Sequence, residues 1–134
     1  MKQTAVLYVS TLLALIAIDF VWLSVMGARL YRPVLKDMLL QDFRPAPAIL
    51  FYLLFAAGVV WFAGLPALTE RSWRAALVNG ALLGLVCYAT YDLTNQATLR
   101  DWASVLTLAD MAWGTVLSAL AATIGYAVAR AFGD

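Results

Sequence analysis

The chain has no histidine, a single cysteine and few charges: 9 Lys and Arg and 8 Asp and Glu among 134 residues. Without histidine it cannot build imidazole metal sites, haem ligation through His or a Ser-His-Asp triad. A lone Cys87 excludes an internal disulfide and a Cys-x-x-Cys redox pair. A net charge of +1, with no basic stretch, excludes nucleic acid as a partner. Charged residues make up 13% of the chain, about half the usual share of a soluble protein. Apolar residues make up 64%, and mean hydropathy is +0.84. A soluble domain this small must cover most of its surface with polar groups, and this composition cannot. A cytosolic globular enzyme and a disordered chain are therefore excluded, and a small integral membrane protein remains.

Four stretches are long and apolar enough to cross a hydrocarbon core of about 30 Å, which takes roughly 20 helical residues. They cover about 4–25, 46–68, 75–95 and 104–128. They are too long for barrel strands and lack period-two alternation, so the spans are helices. The expected fold is all-α: one transmembrane domain over 1–134, an integral membrane four-helix bundle. Lys2 before an apolar run and Val25-Met26-Gly27 imitate a signal peptide. The run is longer than a signal core and carries Asp19, so it reads as a retained span.

Between spans one and two, Leu30, Tyr31, Val34, Leu35, Met38 and Leu39 fall at helical spacing, with Arg29, Arg32, Lys36 and Gln41 on the other side. That pattern predicts a short interfacial amphipathic helix over about 28–43, with Pro33 in its first turn. Its plain role is a connector that seals the bundle, and its sharper role a lid or lipid contact. Trp73 and Trp102 sit at span ends, where indoles anchor in the headgroup zone. Five basic residues on the side of that helix against four and the terminal amine on the other do not orient the chain.

Of the eight acids, Asp37, Asp42, Glu70, Asp101 and Asp134 lie in loops or at the end. Asp19, Asp92 and Asp110 lie within spans, where an ionisable group costs about 2.5–3.5 kcal/mol on insertion scales and points to function. Counting from mid-span at 1.5 Å per residue places them about 7, 10 and 9 Å out, all towards the same membrane face. Tyr52 falls at a similar level. The plain alternative is a carboxylate near a span end that reaches water.

Span three carries Ala76, Gly80, Gly84, Tyr88 and Asp92 at steps of four, and span four carries Asp110, Gly114, Ser118 and Ala122. Small residues at this spacing mark close helix packing, and they put Asp92 and Asp110 on the contact side. Asn95 follows Asp92 by three, Thr107 precedes Asp110 by three, and Trp22 and Trp113 follow Asp19 and Asp110 by three. The expectation is one polar pocket floored by glycines and walled by Trp22, Trp113, Tyr52, Tyr88 and Tyr91. Cys87 sits mid-span without a base and reads as packing.

Unpartnered acids in low dielectric take up a proton or hold a cation. Four chemistries are open. An acid pair can do general acid–base work on a lipid-borne substrate. A carboxylate among aromatic rings can hold an amine or quaternary ammonium. Carboxylates with Asn95 can bind a hard metal ion, although the oxygen ligands are few and no metal site is assigned. The acids can also simply lock the bundle by hydrogen bonds.

The string Thr90-Tyr91-Asp92-Leu93-Thr94-Asn95-Gln96-Ala97-Thr98-Leu99, followed by Trp102, is distinctive. With Asp19-Phe20-Val21-Trp22, Phe51-Tyr52 and Asp110-Met111-Ala112-Trp113-Gly114, it resembles the signature of a bacterial family of four-span membrane proteins. That family is known as domain of unknown function twenty-one seventy-seven. The resemblance covers almost the whole chain. It implies a multi-pass protein of the bacterial cytoplasmic membrane, and a link to lipid chemistry, since members tend to be encoded near fatty-acid-modifying enzymes. It implies no reaction and no cofactor. The leading expectation is binding of a lipid or amphipathic molecule, accessory to lipid modification. In that reading Asp19, Asp92 and Asp110 are the polar contacts, Asn95 orients, and Trp22, Trp113 and Tyr91 pack the ligand. The alternatives are a proton- or cation-coupled transporter and a structural subunit of a larger membrane complex. Expected partners are membrane lipids, other membrane proteins or further copies of the chain.

Overall fold

The computed structural model describes residues 1–133; Asp134, expected among the terminal acids, lies outside the described residues. Four helical segments are long and apolar enough to cross a membrane: Lys2–Met38, Pro45–Glu70, Trp73–Thr98 and Ser104–Phe132. Each contains the span expected from hydropathy and runs beyond it by a turn or less, except the first. The chain is an integral membrane bundle of four helices.

Span one comprises α1 (Lys2–Met26), a π turn (Gly27–Tyr31), α2 (Arg32–Leu35) and a 3₁₀ turn (Lys36–Met38). The segment expected as a separate interfacial helix over 28–43 is therefore a continuation of span one. It is helical only to Met38. Pro33 does not open a new helix, because the π turn absorbs it. Arg32 N–H bonds to the Gly27 carbonyl five residues back, and Pro33, next in line, has no N–H to give. Span two repeats the device. After α3 (Pro45–Val59) comes a π turn (Val60–Gly64), in which Leu65 N–H bonds to the Val60 carbonyl just before Pro66. Then comes α4 (Leu65–Glu70).

Spans two and three are joined by two residues. Arg71, at φ 52° and ψ 40°, ends α4 in the left-handed conformation. Ser72 N–H reaches the Ala67 carbonyl at 3.0 Å and Arg71 N–H the Leu68 carbonyl at 3.3 Å, which is a Schellman ending. Ser72 then caps α5 (Trp73–Thr98), its Oγ accepting from Ala75 N–H at 3.3 Å. So tight a link forces the two spans antiparallel and close at that end.

Lipid tails are as apolar as the helices, so association rests on close packing. The seam between α5 and α6 (Ser104–Phe132) is built from the two small-residue rows. A β-carbon at Gly80 would stand 2.7 Å from the Ser118 carbonyl oxygen and 2.9 Å from Ala122 Cβ. One at Gly84 would strike the Gly114 carbonyl, and one at Gly114 would strike the Tyr88 ring. Each step of four along α5 meets a step of four back along α6. The next step sets Asp92 opposite Asp110. On the far side of α6, α1 buries Leu7, Thr11, Ala14, Leu15 and Asp19 as one stripe, with Thr11 seated over Gly125.

Candidate functional site

All three span acids are buried: Asp92 completely, Asp19 and Asp110 at 7% exposure. They do not share one pocket. Asp19, on α1, is satisfied on both oxygens. Tyr52 of α3 donates its hydroxyl to Oδ2, and Trp113 of α6 donates its indole N–H to Oδ1 at 3.0 Å. This acid ties three spans together.

Asp110 belongs to a second network. Tyr31 donates its hydroxyl to Asp110 Oδ1 at 2.6 Å and accepts the Trp22 indole N–H at 2.9 Å. Tyr31 can do this because the π turn inserts a residue, which rotates the rest of the span by about 100° relative to a plain α-helix. Leu30, in the same turn, packs on Trp102 and Leu106 at the start of α6. The two networks meet at Trp22 and Trp113, whose rings stack with centroids 4.3 Å apart and planes 5° from parallel. The stack lies in the seam between α1 and α6.

Asp92 is the exception. Its carboxyl lies within hydrogen-bonding reach of that of Asp110, and no other donor serves either oxygen. A buried polar group left this way is costly and calls for a reason.

The reason has a place in the fold. Span two packs on α5 through the Val60–Gly64 turn and α4, while α3 hardly touches α5. From their tight link the two spans diverge. The gap between them is a fissure of about 290 Å³, with Phe51 and Phe55 on one wall, Cys87, Tyr88 and Tyr91 on the other, and Asp110 at its base. Phe51 and Tyr91 stand at its rim, 43% and 56% exposed on the surface that faces hydrocarbon. Phe55 stacks on Phe51 at 5.3 Å and meets Tyr88 edge-on at 6.3 Å, so the walls are preformed. The fissure therefore opens on the outer surface of the bundle, between spans two and three.

The single pocket expected from the sequence is thus divided. Tyr88, Tyr91 and Asp110 line the fissure, and Asp92 lies behind Asp110. Trp22, Trp113, Tyr52 and Asp19 are occupied with one another or with Tyr31. Glycines do not form the base, because Tyr88 covers Gly114. Asn95 is half-buried and makes no side-chain hydrogen bond to either acid. Trp102 is not a headgroup anchor: it is 9% exposed, donates to Thr107 Oγ1 at 3.0 Å and meets Tyr91 edge-on. Trp73, 53% exposed, is free to anchor. Sequence reasoning missed Tyr31, Phe51, Phe55 and Cys87.

Among the described residues, no group of three or more Cys, Asp or Glu side chains is arranged to hold a metal ion. A larger hollow of about 610 Å³ between Val34–Met38 and Arg100–Ala103 takes in none of the three span acids.

Neither a curated protein nor a solved structure matches the chain. The family described as "Predicted membrane protein (DUF2177)" matches residues 4–127, a stretch that holds all three span acids and every wall of the fissure. The chain belongs to this family of predicted membrane proteins.

Proposed function

We propose that this chain is a bacterial inner-membrane protein that takes an amphipathic molecule sideways from the bilayer into the fissure between spans two and three, in the service of lipid modification. The observation that carries this reading is a carboxyl, Asp110, at the base of an aromatic fissure whose rim lies on the lipid-facing surface. An opening at that level of an apolar span suits a lipid or single-chain amphiphile, which already resides in the bilayer. At about 290 Å³ the fissure is at the small end of ligand sites, which run roughly 300–1,000 Å³. It takes a head group and the first methylenes, and the tail stays in the bilayer.

Asp19 has a different task. With both oxygens bonded it locks α1, α3 and α6, which is the structural role considered for the acids as a group. Transport is less well supported. Beyond the acids the bundle is filled by buried Leu15, Leu117, Ala121 and Ala122, which belong to its main apolar core. The test is photo-crosslinking in bilayers with a single-chain amphiphile that carries a diazirine close to its head. Labelling concentrated on Phe51, Phe55, Tyr88 and Tyr91 is expected. Labelling spread evenly over lipid-facing residues such as Leu54, Val86 and Leu108 overturns the reading.

A further inference from the structure

The side chains around the fissure also select a charge. Its lining holds four aromatic rings, one thiol and one carboxyl, and no lysine or arginine. Asp110 Oδ1 is taken by Tyr31, and the Asp110 carboxyl lies within hydrogen-bonding reach of that of Asp92. Asp92 is completely buried, and no donor other than that neighbouring carboxyl serves its oxygens. The pair of carboxyls thus has one outside donor, the Tyr31 phenol on Asp110. A phosphate, sulfate or carboxylate head would bring negative charge up to this acid pair with no cation in the lining to balance it. A sugar head would find the Asp110 carboxyl and two tyrosine hydroxyls at most, since the rest of the lining is apolar. A cation meets the opposite condition: a carboxyl ahead of it and the aromatic rings of Phe51, Phe55, Tyr88 and Tyr91 around it.

We infer that the fissure binds the head of a cationic amphiphile, an amine or quaternary ammonium carried on a hydrocarbon chain, with Asp110 as its counter-ion and Asp92 adding charge from behind. This rests on the reading of the fissure as an amphiphile site and narrows it to one head-group chemistry. It also gives Asp92 a use. With only Asp110 beside it and no basic residue in the lining, it adds to the negative potential that a cation meets, as Asp19, bonded to Tyr52 and Trp113, does not.

The experiment uses the full chain in bilayers of neutral lipid, labelled with the diazirine amphiphile, and measures displacement of the label by three chain-matched competitors. These are a tetradecyl trimethylammonium, a tetradecyl maltoside and a tetradecyl sulfate. The ammonium is expected to displace the label at concentrations about tenfold lower than the other two, a difference of about 1.4 kcal/mol. Asp110→Asn, which keeps an acceptor for Tyr31, is expected to abolish that preference while the fissure is still labelled. Should Asp110→Asn fail to fold, Asp92→Asn decides the matter, because it leaves the Tyr31 bond untouched and is expected to shrink the preference several-fold. Equal displacement by all three competitors overturns the inference and leaves the fissure reading standing. A preference that survives both substitutions overturns it too. Absence of label from the fissure walls overturns both.

Discussion

Replacing Gly84 by alanine should weaken the bundle markedly for a change of one methyl group. A β-carbon there would fall inside contact distance of the Gly114 carbonyl oxygen, and 2.5 and 2.7 Å from Ser118 Oγ and Cβ. Carbon atoms in ordinary contact stand about 3.5–4.0 Å apart, so α5 and α6 must part by about 1 Å at this point. A backbone carbonyl cannot swing aside as a long side chain can. Overpacking of this kind costs about 1–3 kcal/mol, against about 0.5–1 kcal/mol returned by alanine's better helix propensity. The matched control is Gly58→Ala on α3, where nothing lies within 4 Å of the added atom and only the propensity gain applies. The propensity gain is common to both, so the two variants should differ by the overpacking cost, about 1–3 kcal/mol, with Gly84→Ala the less stable. Reversible unfolding in mixed micelles, titrated with dodecyl sulfate and followed by tryptophan fluorescence, measures this directly. Equal stability of the two variants would refute the close seam, and with it the register that sets Asp92 against Asp110.

Asp19→Leu strands the Tyr52 hydroxyl and the Trp113 indole and should cost about 1–3 kcal/mol in the same assay, with Asp19→Asn milder because it keeps an acceptor. Asp92→Asn should go the other way, raising stability by about 1 kcal/mol, since it replaces a buried carboxyl served only by another carboxyl with an amide that can donate to Asp110; a loss of stability would show that the carboxyl pair is itself stabilising. Tyr31→Phe should cost about 1 kcal/mol in the native background and nothing in Pro33→Ala, where the π turn can close and carry the phenol away from Asp110; full additivity of the pair contradicts that role for the turn.

The features legible in the sequence came from quantities that run along a helix axis. Twenty apolar residues cross a bilayer, so the four spans could be read from hydropathy. A fixed rise per residue set the depth of Asp19, Asp92 and Asp110. The four-residue rows of small side chains identified the seam and its two acids. Position around the axis was less accessible. Asp19 shares a depth with Asp110 yet bonds to Tyr52 and Trp113, while Asp110 bonds to Tyr31. Tyr31 itself was out of reach, because helical spacing assumes that no residue is inserted and the π turn before Pro33 inserts one. Trp102 has the sequence context of an anchor, and only its contacts with Leu30 and Leu106 reveal that it is sealed inside. Phe51, Phe55 and Cys87 are apolar residues in apolar helices, and such residues carry no contrast until a neighbouring span is seen to lean away from them.

Cys87 offers the most direct test of the central claim, because it is the chain's only cysteine and it lines the fissure. The rate at which a membrane-permeant maleimide alkylates it in bilayers should fall several-fold when a single-chain amphiphile occupies the site. The control, a cysteine placed at Leu54 on the outer surface in a Cys87→Ser background, should be alkylated at the same rate with or without it. Protection of Cys87 alone is the result predicted. An unchanged rate at Cys87, or equal slowing at both positions, would contradict an amphiphile seated between spans two and three.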